Sequence, residues 1–329
     1  MQNPGERVEG VGRTALISSA DQRHNLASNL SGHPMPVAPP VALLGTGLLG
    51  SAIATRLLQQ GESLWVWNRT PERCTPLLEL GARGAGDPAA AVALAHWVIT
   101  VLSDGPTTQA LLLQLGPTLT GKTVIQVGTI SPDESQELAS AVQGWGGRYL
   151  EAPVLGSRPE ALEGRLQLMA GGPAALVEEA MPLLRHLAQD PRYLGEVGSA
   201  MATKLALNQL IASLTHGFSL SLHLVQRSGV PVEAFMDLLR SSALYAPTFD
   251  KKLARELQRH YGDPNFPTAH LRKDLALFQG AAVQAGLNAS GLESLLTLLE
   301  GATAAGLDPL DYCALHELTA GREAAATPG

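Results

Sequence analysis

The apolar run Val41-Ala42-Leu43-Leu44 passes directly into Gly45-Thr46-Gly47-Leu48-Leu49-Gly50, and Ser51–Leu58 follows with helical composition. A strand entering G-x-G-x-x-G and then a helix constrains the fold strongly, because few architectures place such a turn at a sheet edge. Gly45 would make the tight turn, Gly47 would let a pyrophosphate approach the backbone, and Gly50 would let helix pack on strand. Thr46, Leu48 and Leu49 complete the loop, and the helix N-terminus offers N–H groups and a positive dipole to phosphates.

The pattern downstream supports this reading. Short apolar runs recur at Ser63–Trp67, Trp97–Leu102, Thr123–Val127, Tyr149–Val154, Leu166–Ala170 and Arg192–Gly195, with helical stretches between several of them. Strands alternating with helices predict a doubly wound parallel α/β sheet of Rossmann type. After Gly198 the strands stop. Residues 199–228 read as one long helix and 230–320 as several shorter ones, so an all-α part follows. The expected divisions are an extension at 1–39, disordered on its polar composition, a nucleotide-binding domain at 40–197 and a helical substrate and dimerisation domain at 198–325.

Of 329 residues, 23 are Lys or Arg and 30 are Asp or Glu, giving a net charge of −7. With no basic block, nucleic acid and anionic membranes are not expected partners. Two cysteines, Cys74 and Cys313, form no disulfide framework, and residues 1–35 lack a continuous apolar secretory stretch. A cytoplasmic location is therefore expected. Leu205–Gln226 carries no formal charge, but Asn208, Gln209, Thr215, His216 and His223 interrupt it, as in a buried helix rather than a membrane span.

The second strand bears on the cofactor. An NAD site usually places an acid at its tip, for the ribose 2′-OH. Here Trp67 is followed by Asn68-Arg69-Thr70. Arg69 can pair with a 2′-phosphate, and Asn68 and Thr70 can donate hydrogen bonds, so NADP(H) is expected over NAD(H). Gly116-Pro117-Thr118-Leu119-Thr120-Gly121-Lys122-Thr123 also matches a P-loop letter for letter. That motif should follow a strand and open a helix, whereas this copy follows a helical run and opens a strand. It reads as a turn. Cys313 and His316 would make half a metal site with no second half, so no metal is expected.

Lys204 and Asn208 lie four apart, hence on one helix face. Lys204 is the last charge before the uncharged run. A buried lysine has a lowered pKa, suited to acid–base work, although a lysine at a helix end can also simply snorkel to solvent.

Four segments in order resemble the β-hydroxyacid dehydrogenases. They are Gly45–Gly50, Glu151-Ala152-Pro153-Val154-Leu155-Gly156-Ser157, Gly198…Lys204…Asn208, and Lys273-Asp274-Leu275. Phe266-Pro267 before Lys273-Asp274 looks closest to the glyoxylate/succinic semialdehyde reductase branch. The resemblance implies an NADPH-dependent reductase of a small carboxylate-bearing aldehyde. Lys204 would be the general acid and Asn208 would orient it. Thr129 would lie at the cofactor–substrate junction, Gly156 and Ser157 would meet the substrate carboxylate, and Lys273 would approach the nicotinamide end beside Asp274. Tyr245 and Phe249 would fall near the substrate pocket. A homodimer, or a tetramer of dimers, would pack along the long helix. Two departures from the family pattern stand out: Leu155 occupies a position usually held by Ser, and Gly128 precedes Thr129 where Ser is frequent. Rival readings are an imine reductase on the same architecture, against which the retained Lys204 argues, and a non-catalytic NADP-binding module.

Overall fold

The computed structural model describes residues 39–321; the expected extension lies outside them, Pro39 excepted. The strands are β1 (Val41–Leu44), β2 (Leu64–Trp67), β3 (Arg83–Gly84), β4 (Trp97–Thr100), β5 (Thr123–Gln126), β6 (Arg148–Glu151), β7 (Val154–Leu155), β8 (Gln167–Gly171) and β9 (Arg192–Gly195). Seven helices accompany them: α1 (Leu48–Gln59), α2 (Thr75–Glu79), α3 (Pro88–Ala93), α4 (Gly105–Leu115), α5 (Pro132–Gly144), α6 (Arg158–Leu162) and α7 (Ala174–Leu184). Six more follow the last strand: α8 (Ser199–Arg227), α9 (Val232–Arg240), α10 (Pro247–Gln258), α11 (Thr268–Gln284), α12 (Glu293–Ala304) and α13 (Leu315–Thr319).

The sheet runs β3-β2-β1-β4-β5-β6-β8-β7, with β9 beside β8. From β3 to β6 every pairing is parallel. This is the 3-2-1-4-5-6 order of a dinucleotide-binding sheet, which reverses between β1 and β4. The expected all-parallel sheet gives way at one end, where β8 pairs antiparallel with both β6 and β7. The tight link Val154–Gln167 through the short α6 leaves no room for a right-handed crossover. The two-residue β3, Arg83–Gly84, adds a strand that no apolar run in the sequence marks.

Helices cover both faces, so the central strands carry no polar alternation. Val41 and Leu43 of β1 join one core with α1, α6 and α7, while Ala42 and Leu44 join the other with α4 and α5. The P-loop look-alike is a 3-10 turn, Gly116–Leu119, leading into β5, and its Lys122 Nζ donates to Ala93 O at 2.9 Å.

Helix α8 is one continuous 29-residue element. Its buried positions, among them Met201, Lys204, Leu205, Asn208, Ala212, Thr215 and Leu222, recur at three and four residues. Met201 packs into the sheet core and Ala212 into the helical core with Leu271 and Leu275 of α11. One helix therefore bridges both cores and fixes Lys204 between them. No helix among the described residues is long and apolar enough to cross a membrane.

Candidate active site

The phosphate cradle is built where the strand order reverses. Gly45 has φ +103°, and a Cβ on it would lie 2.4 Å from the carbonyl oxygen of Val101, just past β4. Gly50 needs its missing side chain too, because a Cβ would meet Gly45 O at 1.9 Å. A Cβ on Gly47, by contrast, faces open space. Helix α1 starts after Gly47 with no side-chain cap and no acid in its first turn. Its leading N–H groups, at Leu48 to Gly50, are left for a ligand, and an anion fits them.

Asn68 ties this loop to the tip of β2. Thr46 N–H donates to its Oδ1 at 3.1 Å, and its Nδ2 donates to Thr70 O at 3.0 Å. Arg69 is exposed beside it and, among the described residues, makes no hydrogen bond or ion pair. Of the expected cofactor residues, Gly45–Gly50 are thus tied to Asn68, with Arg69 and Thr70 next to it in the chain; Thr129 and Lys273 belong to a second group.

Five expected residues converge in a second group. Lys204 Nζ donates to Asn208 Oδ1 at 2.9 Å, and Asn208 Nδ2 donates to Asp274 Oδ2 at 2.6 Å. Asp274 Oδ1 pairs with Lys273 Nζ at 2.8 Å, and Lys273 Nζ donates to Thr129 O at 2.6 Å. Lys204, Asn208 and Asp274 are all buried. Burial pushes the Lys204 ammonium down to about 8; the Asp274 charge works against that and the Lys273 charge with it. A lysine poised there can hold or release a proton near neutral pH.

The loop carrying Thr129 is held from below. Gln126 Nε2 donates to Gly128 O at 2.8 Å, and Ser131 and Glu134 form a capping box that starts α5. Gly128 also explains one departure: a Cβ there would lie 2.5 Å from Leu102 O, so no serine fits in this backbone.

Among the described residues no hydrogen bond joins Gly156 or Ser157 to the Lys204 group. Ser157 is the N-cap of α6, and its N–H and Oγ both donate to Glu160 Oε2, at 2.8 and 2.6 Å. Burial pushes the Glu160 carboxyl up, but the Ser157 bonds, together with the Glu160 backbone N–H and the Lys251 charge, bring it down to about 2. Leu155 is half-buried on β7. Phe249 stacks on Phe218 at 4.7 Å in the helical core, and Tyr245 OH donates to Asp250 at 2.7 Å.

Three polar residues escaped the sequence reading. Glu151, at the end of β6, is wholly buried and bonded to the start of α8. Asp104 caps α4, accepting from Thr107 N at 2.8 Å. His270, one turn before Asp274, has its pKa lowered by burial and then by Lys273. Glu151 carried a signal, being the lone acid of the apolar run Tyr149–Val154. Asp104 carried another, an Asp-Gly-Pro helix start.

Two family models match this chain. The NAD-binding domain of 6-phosphogluconate dehydrogenase matches residues 40–209, and the NAD-binding domain of NADP-dependent 3-hydroxyisobutyrate dehydrogenase matches 198–319. Glyoxylate/succinic semialdehyde reductase 1 of Arabidopsis thaliana is 33% identical over 84% of this chain and 97% of its own. The cytokine-like nuclear factor N-PAC of Bos taurus is 31% identical over 82% of this chain, but over only 48% of that protein. Among solved structures, 3-hydroxyisobutyrate dehydrogenase of Mycobacterium tuberculosis with L-serine superimposes with a TM-score of 0.78 at 22% identity, covering 85% of this chain and 98% of that one. The chain belongs to the β-hydroxyacid dehydrogenase family and is an NAD(P)-dependent oxidoreductase acting on a CH–OH group or the corresponding aldehyde.

Proposed function

We propose that this protein reduces a small carboxylate-bearing aldehyde, such as glyoxylate or succinic semialdehyde, to the hydroxy acid, with NADPH preferred over NADH. The observation that carries this reading is Lys204: buried, bonded to Asn208 and held at a pKa of about 8. Gly45–Gly50 and Arg69 would hold the nicotinamide cofactor, with Asn68 and Thr70 shaping the rim, and when bound it would supply a hydride to the carbonyl carbon. Lys204 gives the proton that the carbonyl oxygen takes as its π electrons move onto it. In oxidation Lys204 takes that proton back. Asn208 fixes the direction of the ammonium, and Asp274 fixes Asn208.

The substrate class follows from charge. The two neighbouring ammonium groups, Lys204 and Lys273, suit an anionic substrate, with Asp274 and Asp104 as their counter-charges. Gly156 offers backbone to the substrate carboxylate, beside Ser157, whose hydroxyl donates to Glu160. Leu155 makes the pocket less polar at a place where a hydroxyl is usual. We also infer a homodimer. Ala202, Ala206, Leu210, Leu214, Gly217, Leu220 and Leu224 form an exposed stripe along α8 without a charge, which suits a second copy of the chain.

The test is oxidation of NADPH and of NADH against glyoxylate, succinic semialdehyde, tartronate semialdehyde and a cyclic imine. NADPH-driven turnover of an aldehyde acid supports the reading. Turnover of the imine alone, or with NADH alone, overturns it.

A further inference from the structure

Helix α8 starts after Gly198, whose φ is +103°, and no side chain of its own segment caps it. Yet its first turn is buried, with Ala200 and Met201 fully covered. Buried N–H groups need acceptors. They find one on another element. Oε1 of Glu151, the last residue of β6, accepts from Gly198 N at 2.9 Å, Ala200 N at 2.7 Å and Met201 N at 3.2 Å.

The acceptor is itself fixed. Glu151 Oε2 accepts from Ser135 Oγ of α5 at 2.6 Å. The serine proton is thereby committed, so at 2.9 Å the Tyr149 hydroxyl must donate to the serine oxygen. Gly171, paired with Glu151 across β6 and β8, leaves the room, since a Cβ there would lie 2.5 Å from Oε1. Tyr149, Ser135 and Glu151 thus form one fully bonded chain from the sheet and α5 to the first turn of α8.

Lys204 lies four residues beyond Ala200, about 6 Å along the axis. Side chains on such a helix move with its end, so a slide or rotation at Ala200 reaches the Lys204 ammonium almost undiminished. We propose that Glu151 is a positioning residue for Lys204: by tying the first turn of α8 to β6, it sets the depth and rotation at which the ammonium meets the carbonyl oxygen. This rests on Lys204 being the proton donor. The chain runs on from Glu151 into Ala152–Ser157, so one residue holds that loop and the lysine in a common frame.

The test is a double-variant cycle on the full chain, with kcat and the NADPH Kd measured for Glu151→Ala, Glu151→Gln, Lys204→Ala and the Glu151→Ala/Lys204→Ala pair. Misplacing a reacting group by an ångström can cost about a hundredfold. Glu151→Ala should therefore lose about that much kcat, with NADPH Kd within about threefold. Glu151→Gln keeps one oxygen acceptor and should recover to within about tenfold of wild type. The pair should fall no further than Lys204→Ala, because Glu151 acts through Lys204.

A Glu151→Ala enzyme within about threefold of wild-type kcat overturns the proposal. So do two losses that multiply in the pair, while a normal loss in Lys204→Ala leaves the proton-donor reading standing. A Lys204→Ala enzyme as active as wild type removes both. Should Glu151→Ala fail to bind NADPH, Ser135→Ala carries the same cycle: it deletes the Oε2 donor, together with the acceptor of the Tyr149 hydroxyl, and leaves the Oε1 acceptor on α8. A kcat loss that vanishes in the Lys204→Ala background supports the anchor, and one that persists, or no loss, overturns it.

Discussion

Asn208 Nδ2 donates a 2.6 Å hydrogen bond to Asp274 Oδ2, joining α8 to α11 across 66 positions of the chain. With its amide nitrogen so engaged, Asn208 has only its oxygen to turn towards Lys204, and that oxygen accepts at 2.9 Å. Asp274 is thus both the orienting partner of Asn208 and the negative charge that opposes the burial of Lys204.

That double role gives a signed prediction. Removing the negative charge disfavours the ammonium, so Asp274→Asn should lower the Lys204 pKa further. The alkaline limb of kcat/KM for aldehyde reduction, set by loss of the Lys204 proton near pH 8, should move down by about one unit. A limb that stays in place, or moves up, would show that Asp274 does not tune this lysine.

Arg69 should discriminate between cofactors. It stands exposed at the rim formed by Asn68 and Thr70. A charge-assisted hydrogen bond is worth about 1.5–3 kcal/mol, or about 10- to 150-fold in binding. Arg69→Ala should raise KM for NADPH by about that factor and leave KM for NADH nearly unchanged. Equal effects on both cofactors would remove the 2′-phosphate contact.

The exposed stripe of α8 should hold two copies together. Leu210 and Leu214 are 51% and 38% exposed with no charge beside them on that face. Sedimentation should give a dimer at micromolar concentration, and Leu210→Arg/Leu214→Arg should shift it to monomer, since unpaired buried charge is costly. A wild-type monomer at that concentration would contradict the inferred interface.

A buried pair elsewhere in the helical part should make stability depend on pH. Glu256 Oε2 lies 3.4 Å from His316 Nδ1, and both residues are almost wholly buried. Burial raises the Glu256 carboxyl from 4.5 to about 8. Its folded pKa exceeds its unfolded one, so its contribution is fully present below pH 4.5 and is lost as pH rises towards 8. Glu256→Gln cannot ionise. Its Tm should gain on wild type between pH 5 and pH 8, by about a few degrees, and a gap that is constant across that window would refute this.

How far the sequence reveals the site depends on the range of each interaction. The Gly45–Gly50 turn is a local backbone constraint, and it was legible together with its strand and helix. Lys204 and Asn208 were legible as a pair because helical spacing puts them on one face. Their junction with Asp274, Lys273 and Thr129 depends on how α11 packs against α8, which local pattern does not encode; there the family resemblance supplied the grouping. Glu151 shows the limit most clearly. It caps a helix that begins 48 residues later, and capping signals are read within a few residues of the helix they serve. The antiparallel end of the sheet was missed for a similar reason, since apolar runs reveal strands but not their direction.

The central claim is that Lys204 donates the proton. Its most direct test is the pH dependence of kcat/KM for NADPH-driven glyoxylate reduction by wild type and Lys204→Ala. The wild-type profile should be level below about pH 8 and fall above it as the ammonium is lost. Lys204→Ala should lie about 10²- to 10⁴-fold lower, with that limb gone. A variant that keeps more than about a tenth of the wild-type value, or that keeps the same limb, would contradict the assignment.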